Sequence, residues 1–315
     1  MKISRIFAIA TATTCLLLFS AARCFVAADE SRTVEKELTH EGRKRTYRLY
    51  LPAGAKKPLP LVLSLHGAGV NGAAQEWLTN MNEIADKEQF AIVYPDALNS
   101  FWRFFEPAEN DVLRLKPVDD LGFLESLIDE MVKEGIADPR RVYVTGMSNG
   151  GYMANFIGRK LSNKVAAIAP VAGTMPRMLA DKVAPKRPVP VLYIHGTDDT
   201  FVYYNGKDFI TRQKLSLGAE EMVQWWVKHN KCKTKPVIEK LPDKADDGAT
   251  VERFVYPAGK SKAPVVFYKV HNGGHTWPGG SLFQPKKLLG LTCRDFNASK
   301  EIWEFFKQYQ LPARP

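Results

Sequence analysis

Short runs of aliphatic and β-branched residues recur along the chain, each followed by a turn and then by apolar residues at helical spacing. The runs are Pro60 to Leu65, Phe90 to Tyr94, Arg141 to Thr145, Val165 to Val171, Val189 to His195 and Val265 to Val270. Their length and near-continuous apolar character fit strands buried on both faces. Between them, Leu121 to Lys133 places Leu121, Leu124, Leu127, Ile128 and Met131 on one stripe, and Gly150 to Lys160, Ala219 to His229 and Ser299 to Tyr309 keep the same helical period. Strand, helix, strand repetition predicts an α/β fold, with a mostly parallel central sheet and helices on both faces. Arg45 to Leu51 differs: it alternates Tyr47, Leu49 and Leu51 with polar residues, as an antiparallel edge strand would. No repeat, low-complexity tract or Pro/Ser linker interrupts residues 29–315, so they read as one domain.

The N-terminus follows another pattern. Lys2 and Arg5 precede the apolar stretch Ile6 to Phe19, and small residues follow as far as Ala28. This is the layout of a secretory signal peptide over residues 1–28, with Val26 and Ala28 in the two specificity positions before the cut. Arg23 stands before Cys24 where a lipoprotein signal requires a small residue, so lipidation is not expected. The product is expected to be secreted, either extracellular or periplasmic, and no later apolar run is long enough to span a membrane. Processing removes Lys2, Arg5 and Arg23 and no acid, so the charge excess falls from +10 to +7. The remaining Lys and Arg are scattered rather than interleaved with aromatics in one stripe, which excludes nucleic acid as an expected partner. Cys232 and Cys293, left after processing, would meet an oxidising compartment and are expected to pair. Closing that loop would contribute about 4 kcal/mol of chain entropy.

The chemistry concentrates in three turns. Gly146-Met147-Ser148-Asn149-Gly150 follows Val142-Tyr143-Val144 and opens a helical stretch, which is the arrangement of a nucleophile elbow. Side chains at 146 and 150 would collide with the neighbouring chain, and the new helix aims free N–H groups at the site. A serine hydroxyl needs an imidazole to take its proton and an acid to orient that imidazole. Both follow in order. His195-Gly196-Thr197-Asp198-Asp199 and Gly273-Gly274-His275-Thr276-Trp277 each succeed a strand, at the sheet edge where α/β sites assemble. Among the histidines, His40 and His229 read as surface, His66 and His271 as loop supports, and His275 as the base. Asp198 and Asp199 compete for the orienting role, with Asp199 preferred.

An oxyanion needs two backbone N–H donors. Asn149, next to the serine, supplies one, and the small turn Leu65-His66-Gly67-Ala68-Gly69 supplies the other through Ala68. Trp225, Trp226 and Trp303 lie in helical patterns and read as core. Trp277 is expected to line a substrate cleft, Trp102 to serve as a ligand platform or as a buried anchor, and Tyr203 to contribute to a pocket wall. No HExxH, short-spaced Cys pair or phosphate loop appears, so no metal or cofactor is expected.

Taken together, Leu65-His66-Gly67, Asp119-Asp120-Leu121-Gly122-Phe123, Val142 to Gly151, His195-Gly196-Thr197 with Asp199, and Gly274 to Gly280 resemble the secreted serine esterases related to polyhydroxybutyrate depolymerases and to feruloyl and acetyl-xylan esterases. The resemblance covers residues 45 to 310. It implies an α/β-hydrolase fold and a catalytic Ser148, Asp199 and His275, favouring Asp199 over Asp198. It further implies hydrolysis of carboxylic esters, first among them feruloyl or acetyl decorations of plant polysaccharide. Polyester oligomers of the poly(3-hydroxybutyrate) type are the alternative substrate, and a non-catalytic polymer-binding domain is the alternative class. The family's Pro-Tyr and paired glycines after the acid loop are replaced here by Val202-Tyr203-Tyr204-Asn205-Gly206-Lys207, so the wall near Tyr203 is expected to differ.

Overall fold

The computed structural model describes residues 32–105, 118–208, 211–281 and 286–313, so the expected signal peptide lies outside the described residues. In chain order the elements begin with strands β1 (Arg32–His40), β2 (Arg43–Leu51) and β3 (Leu59–Leu65). Helices α1 (Gly72–Thr79) and α2 (Asn82–Glu88) lead to β4 (Ala91–Pro95), and α3 (Asp120–Lys133) to β5 (Ala137–Met147). Then come α4 (Asn149–Lys160), β6 (Ala167–Val171), the short α5 (Arg177–Ala180), β7 (Val191–Gly196) and α6 (Ala219–His229). The chain finishes with β8 (Val237–Lys240), β9 (Thr250–Tyr256), β10 (Val265–His271), α7 (Lys286–Leu289) and α8 (Ala298–Phe306).

The described strands form one sheet in the order β1-β2-β4-β3-β5-β6-β7-β10-β9-β8. From β4 to β10 every neighbour is parallel, while β1, β2, β9 and β8 extend the two edges antiparallel. This is the fold of the α/β hydrolases. The pleat sends Leu61, Leu63 and Leu65 of β3 into one layer with Phe123, Met153, Ile157, Met222 and Trp226 from α3, α4 and α6. Val62 goes to the other layer, with Leu78, Ala85, Ile302, Trp303 and Phe306 from α1, α2 and α8. Central strands are thus buried on both faces, and that is why they read as unbroken apolar runs.

Two expectations change. Arg45 to Leu51 lies in an antiparallel strand but not at the edge, because β1 pairs along its whole length. With no fully buried position in Arg-Thr-Val-Glu-Lys-Glu-Leu-Thr-His, β1 offers no apolar run to detect. Nor do the two cysteines pair. Cys232 packs against the α3/α4/α6 layer and donates to Ala263 O at 3.2 Å, while Cys293 is buried in the opposite layer beside Asp295. The sheet separates them, and burial pushes the thiols up to about 11 and about 12 respectively.

Candidate active site

Ser148 sits between β5 and α4 with φ +57° and ψ −120°, a conformation forbidding for an ordinary side chain. The neighbours enforce it. A Cβ at Gly146 would come within 2.6 Å of Gly150 O, and one at Gly150 within 2.2 Å of Leu65 O. Ser148 N–H donates to Val171 O at 2.9 Å, and Ser148 O accepts from Tyr152 N at 3.0 Å, which closes the first turn of α4. The sharp bend leaves Ser148 half-buried at the C-terminal edge of the sheet, beside the free N–H groups of the helix start.

Asp199 and His275 meet where the loops after β7 and β10 pack backbone to backbone. Gly196 has no room for a Cβ, which would lie 2.1 Å from Gly273 O, and Asp198 N–H donates to Gly273 O at 2.9 Å. His275 Nδ1 lies 2.8 Å from Asp199 Oδ2. A carboxylate only accepts, so Nδ1 carries the proton and the Nε2 lone pair is left free. Asp199 Oδ1 accepts from Phe201 N and Val202 N at 2.9 and 2.8 Å. Burial pushes this carboxyl up, but the charge and hydrogen bond of His275, with His195 and the Phe201 N–H, outweigh it and hold it below its ordinary value. Asp198 is exposed and accepts from Thr197 Oγ1, so the structure brings Asp199 rather than Asp198 to His275. Beneath the pair, buried His195 has Nε2 2.8 Å from Val202 O and 3.4 Å from Asp199 Oδ2, with Nδ1 bonded to Tyr193 OH. Burial lowers its pKa and keeps it neutral.

The turn after β3 lies against the elbow: a Cβ on Gly67 would sit 3.5 Å from Ser148 Cβ. Ala68 is exposed at its tip, next to Gly69, whose N–H donates to Ser100 O at 2.8 Å. His66 is buried and neutral, lowered by burial, with Nε2 accepting from Ala97 N and Nδ1 bonded to Gly67 O. It supports the loop. Trp102 is fully buried and its Nε1–H donates to His66 O at 3.0 Å, so of its two readings the anchor stands and the platform does not. Trp277 is not at a cleft: it is buried, with Nε1–H donating to Ser299 Oγ, because it ties the His275 loop to α8. Tyr203 is half-buried and its hydroxyl and ring are engaged by Arg212. Other aromatic groups lie near these residues. Phe201, partly exposed, lies 5.3 Å from the His275 ring, and Phe104, between exposed Phe101 and Phe105, stacks on Tyr152 at 4.9 Å. Among the described residues His40, Glu41 and Asp119 could together hold a cation, but they belong to the β1–β2 turn and the start of α3, not to these loops.

Comparison with known proteins gives the family and the fold. The family described as esterase PHB depolymerase matches residues 45–175, and the phospholipase/carboxylesterase family matches residues 118–235. A protein of Nocardia uniformis subsp. tsuyamanensis named as an esterase, NocK, is 30% identical over 288 residues, 88% of this chain and 83% of that protein. The chain belongs to the polyhydroxybutyrate-depolymerase-type esterases. As such an esterase it also resembles the bifunctional acetylxylan esterase/xylanase XynS20E of Neocallimastix patriciarum, 33% identical over 175 residues. Feruloyl esterase B of Piromyces equi is 27% identical over 265 residues, 81% of this chain. This esterase spans only 24% and 43% of the length of those two proteins. Its fold matches that of an acetyl xylan esterase from Aspergillus awamori, with a TM-score of 0.60 over 87% of this chain and 99% of the other at 14% identity.

Sequence reasoning overlooked three partners: His195 under the acid, the Asn149 side chain, and the buried Asp120 facing Arg45 at 2.7 Å. Asp120 and His195 stand in the motifs Asp119-Asp120-Leu121-Gly122-Phe123 and His195-Gly196-Thr197, but nothing in a linear pattern says which of Asp119 and Asp120 turns inward.

Proposed function

We propose that the protein is a secreted serine esterase, processed after Ala28, that removes feruloyl or acetyl esters from plant polysaccharide with Ser148, His275 and Asp199. The observation that carries this reading is the strained Ser148 at a helix start together with a buried Asp199–His275 pair 2.8 Å apart. In the first half-reaction Ser148 Oγ attacks the ester carbonyl carbon while His275 Nε2 takes its proton. The oxyanion is held by the N–H groups of Asn149 and Ala68. When the intermediate collapses, the ester C–O bond breaks and His275 returns the proton to the departing alkoxide. Water then attacks the acyl-serine by the same route, releasing the acid and restoring Ser148. Asp199 keeps Nδ1 protonated and stabilises the imidazolium throughout.

The relatives named for acetylxylan and feruloyl ester cleavage support the polysaccharide substrate, and Phe101, Phe105 and Phe201 offer partly exposed rings for an aryl group. The family description supports a second reading, polyester oligomers. A matched panel separates them: p-nitrophenyl acetate and butyrate, methyl ferulate, acetylated xylan and soluble hydroxybutyrate oligomers, with Ser148→Ala as blank. Preference for ferulate or xylan is the expected result, and preference for hydroxybutyrate overturns the substrate. Equal rates for wild type and blank on every ester would move the chain to a polymer-binding role.

A further inference from the structure

The two proposed oxyanion donors belong to different loops, and a catalytic hole demands that both point at one oxygen. One residue ties them together. Trp102 N–H donates to Asn149 Oδ1 at 2.7 Å, and Trp102 O accepts from Asn149 Nδ2 at 3.1 Å, so the Asn149 side chain engages the Trp102 backbone on both sides. The Trp102 indole N–H donates to His66 O at 3.0 Å, and its ring lies 5.0 Å from the His66 imidazole. All three residues are buried, so each bond is made away from competing water.

The loop that carries Trp102 is itself pinned from several sides. Arg103 N–H donates to Asp120 Oδ2 at 2.9 Å, and Phe104 stacks on Tyr152, three residues beyond Asn149 on α4. Ser100 O accepts from Gly69 N–H, on the far side of Ala68. The loop at 100–104 therefore holds the helix start through Asn149 and Tyr152, and the turn after β3 through His66 and Gly69.

Resting on the serine-esterase reading, we propose that Trp102, clasped by the Asn149 side chain, is the positioning residue that sets the oxyanion hole by locking the Asn149 and Ala68 donors to one another. Neither the indole nor the Asn149 amide touches the reacting atoms. Both act through the backbone they fix, so loosening them weakens binding of the tetrahedral oxyanion and leaves ground-state ester binding as it was.

Trp102→Phe keeps the ring and loses the bond to His66, and Asn149→Ala keeps its own backbone N–H and loses both bonds to Trp102. Each is measured with p-nitrophenyl acetate, with phenylboronic acid as a tetrahedral mimic, and with a fluorophosphonate to count reactive Ser148. The expected result is a kcat lower by roughly 10- to 100-fold, below the loss on deleting a donor outright. KM should stay within about twofold, and phenylboronate affinity should fall by the same factor as kcat/KM. Wild-type kcat in both folded variants overturns the proposal. So does a loss explained entirely by fewer labelled serines, with wild-type kcat per labelled site, because that is a folding role alone. Failure of the esterase reading looks different: wild type itself then shows neither turnover nor label.

Discussion

Asp120 and Asp199 are both buried carboxylates, and they are satisfied in opposite ways. Asp120, at the start of α3, faces the permanent charge of Arg45, whose guanidinium also lies 3.9 Å over the Phe123 ring. Asp199 faces two imidazoles and two backbone N–H groups, and no arginine or lysine pairs with it among the described residues. A fixed ion pair locks structure, since neither partner changes charge. A carboxylate bonded to an imidazole can follow that imidazole as it gains and loses a proton, which is what a general base requires. Burial alone therefore does not suit a carboxylate to the role proposed for Asp199; its imidazole partner does.

Neutralising each acid in turn should separate their roles. Asp199→Asn keeps the shape but lets the wrong nitrogen of His275 carry the proton, and kcat should fall by about 10⁴ with little change in Tm. Steady-state kinetics and thermal unfolding of the same preparation check both halves. Asp120→Ala should act chiefly on stability, with a smaller loss of kcat through the loop that Arg103 N–H anchors to Asp120. Stranding the buried Arg45 charge costs about 3–5 kcal/mol, and Tm should drop by on the order of 10 °C. An unchanged Tm for the Asp120 variant would remove the structural role assigned to its pair.

Next in size is the dependence of stability on pH. Burial holds His66 and His195 below the ordinary histidine value, so the folded protein keeps both neutral while the unfolded chain protonates near pH 6.5. The unfolded state then binds more protons, and stability falls as pH drops below about 6.5, by up to about 1.4 kcal/mol per pH unit for each histidine. Asp199, held low, adds its loss only at more acidic pH, as the pH falls through its folded value. Unfolding followed from pH 7.5 to 5.5 should show the decline, and His195→Gln should flatten it. The smallest effect is expected at the cysteines. Thiol titration of denatured, unreduced protein should count Cys232 and Cys293 as free, and reductant should leave Tm unchanged; a mass lower by two hydrogens would restore the disulfide.

What the sequence made legible follows from the same physics. Strands buried on both faces had to be largely apolar, so β3, β4, β6, β7 and β10 were visible, as was the Gly-x-Ser-x-Gly turn, where packing admits no side chain at 146 or 150. The outer strands β1 and β8 expose most of their residues and carry little pattern. Partners across long separations were also hidden. Trp102 and Asn149 are 47 residues apart, and only the fold makes them neighbours. For Trp277 the spacing placed it near His275 correctly, but its indole turns inward to Ser299 rather than out to a ligand. The cysteines show the reverse error, since redox compartment favours pairing but cannot carry two sulfurs through a sheet.

Covalent labelling tests the proposed role of Ser148 directly. Wild-type protein treated with a fluorophosphonate and analysed by intact mass and peptide mapping should gain one phosphonate, on Ser148, and His275→Ala should gain it far more slowly. Folded protein that hydrolyses esters yet carries the label elsewhere, or carries none, would rule out Ser148 as the nucleophile.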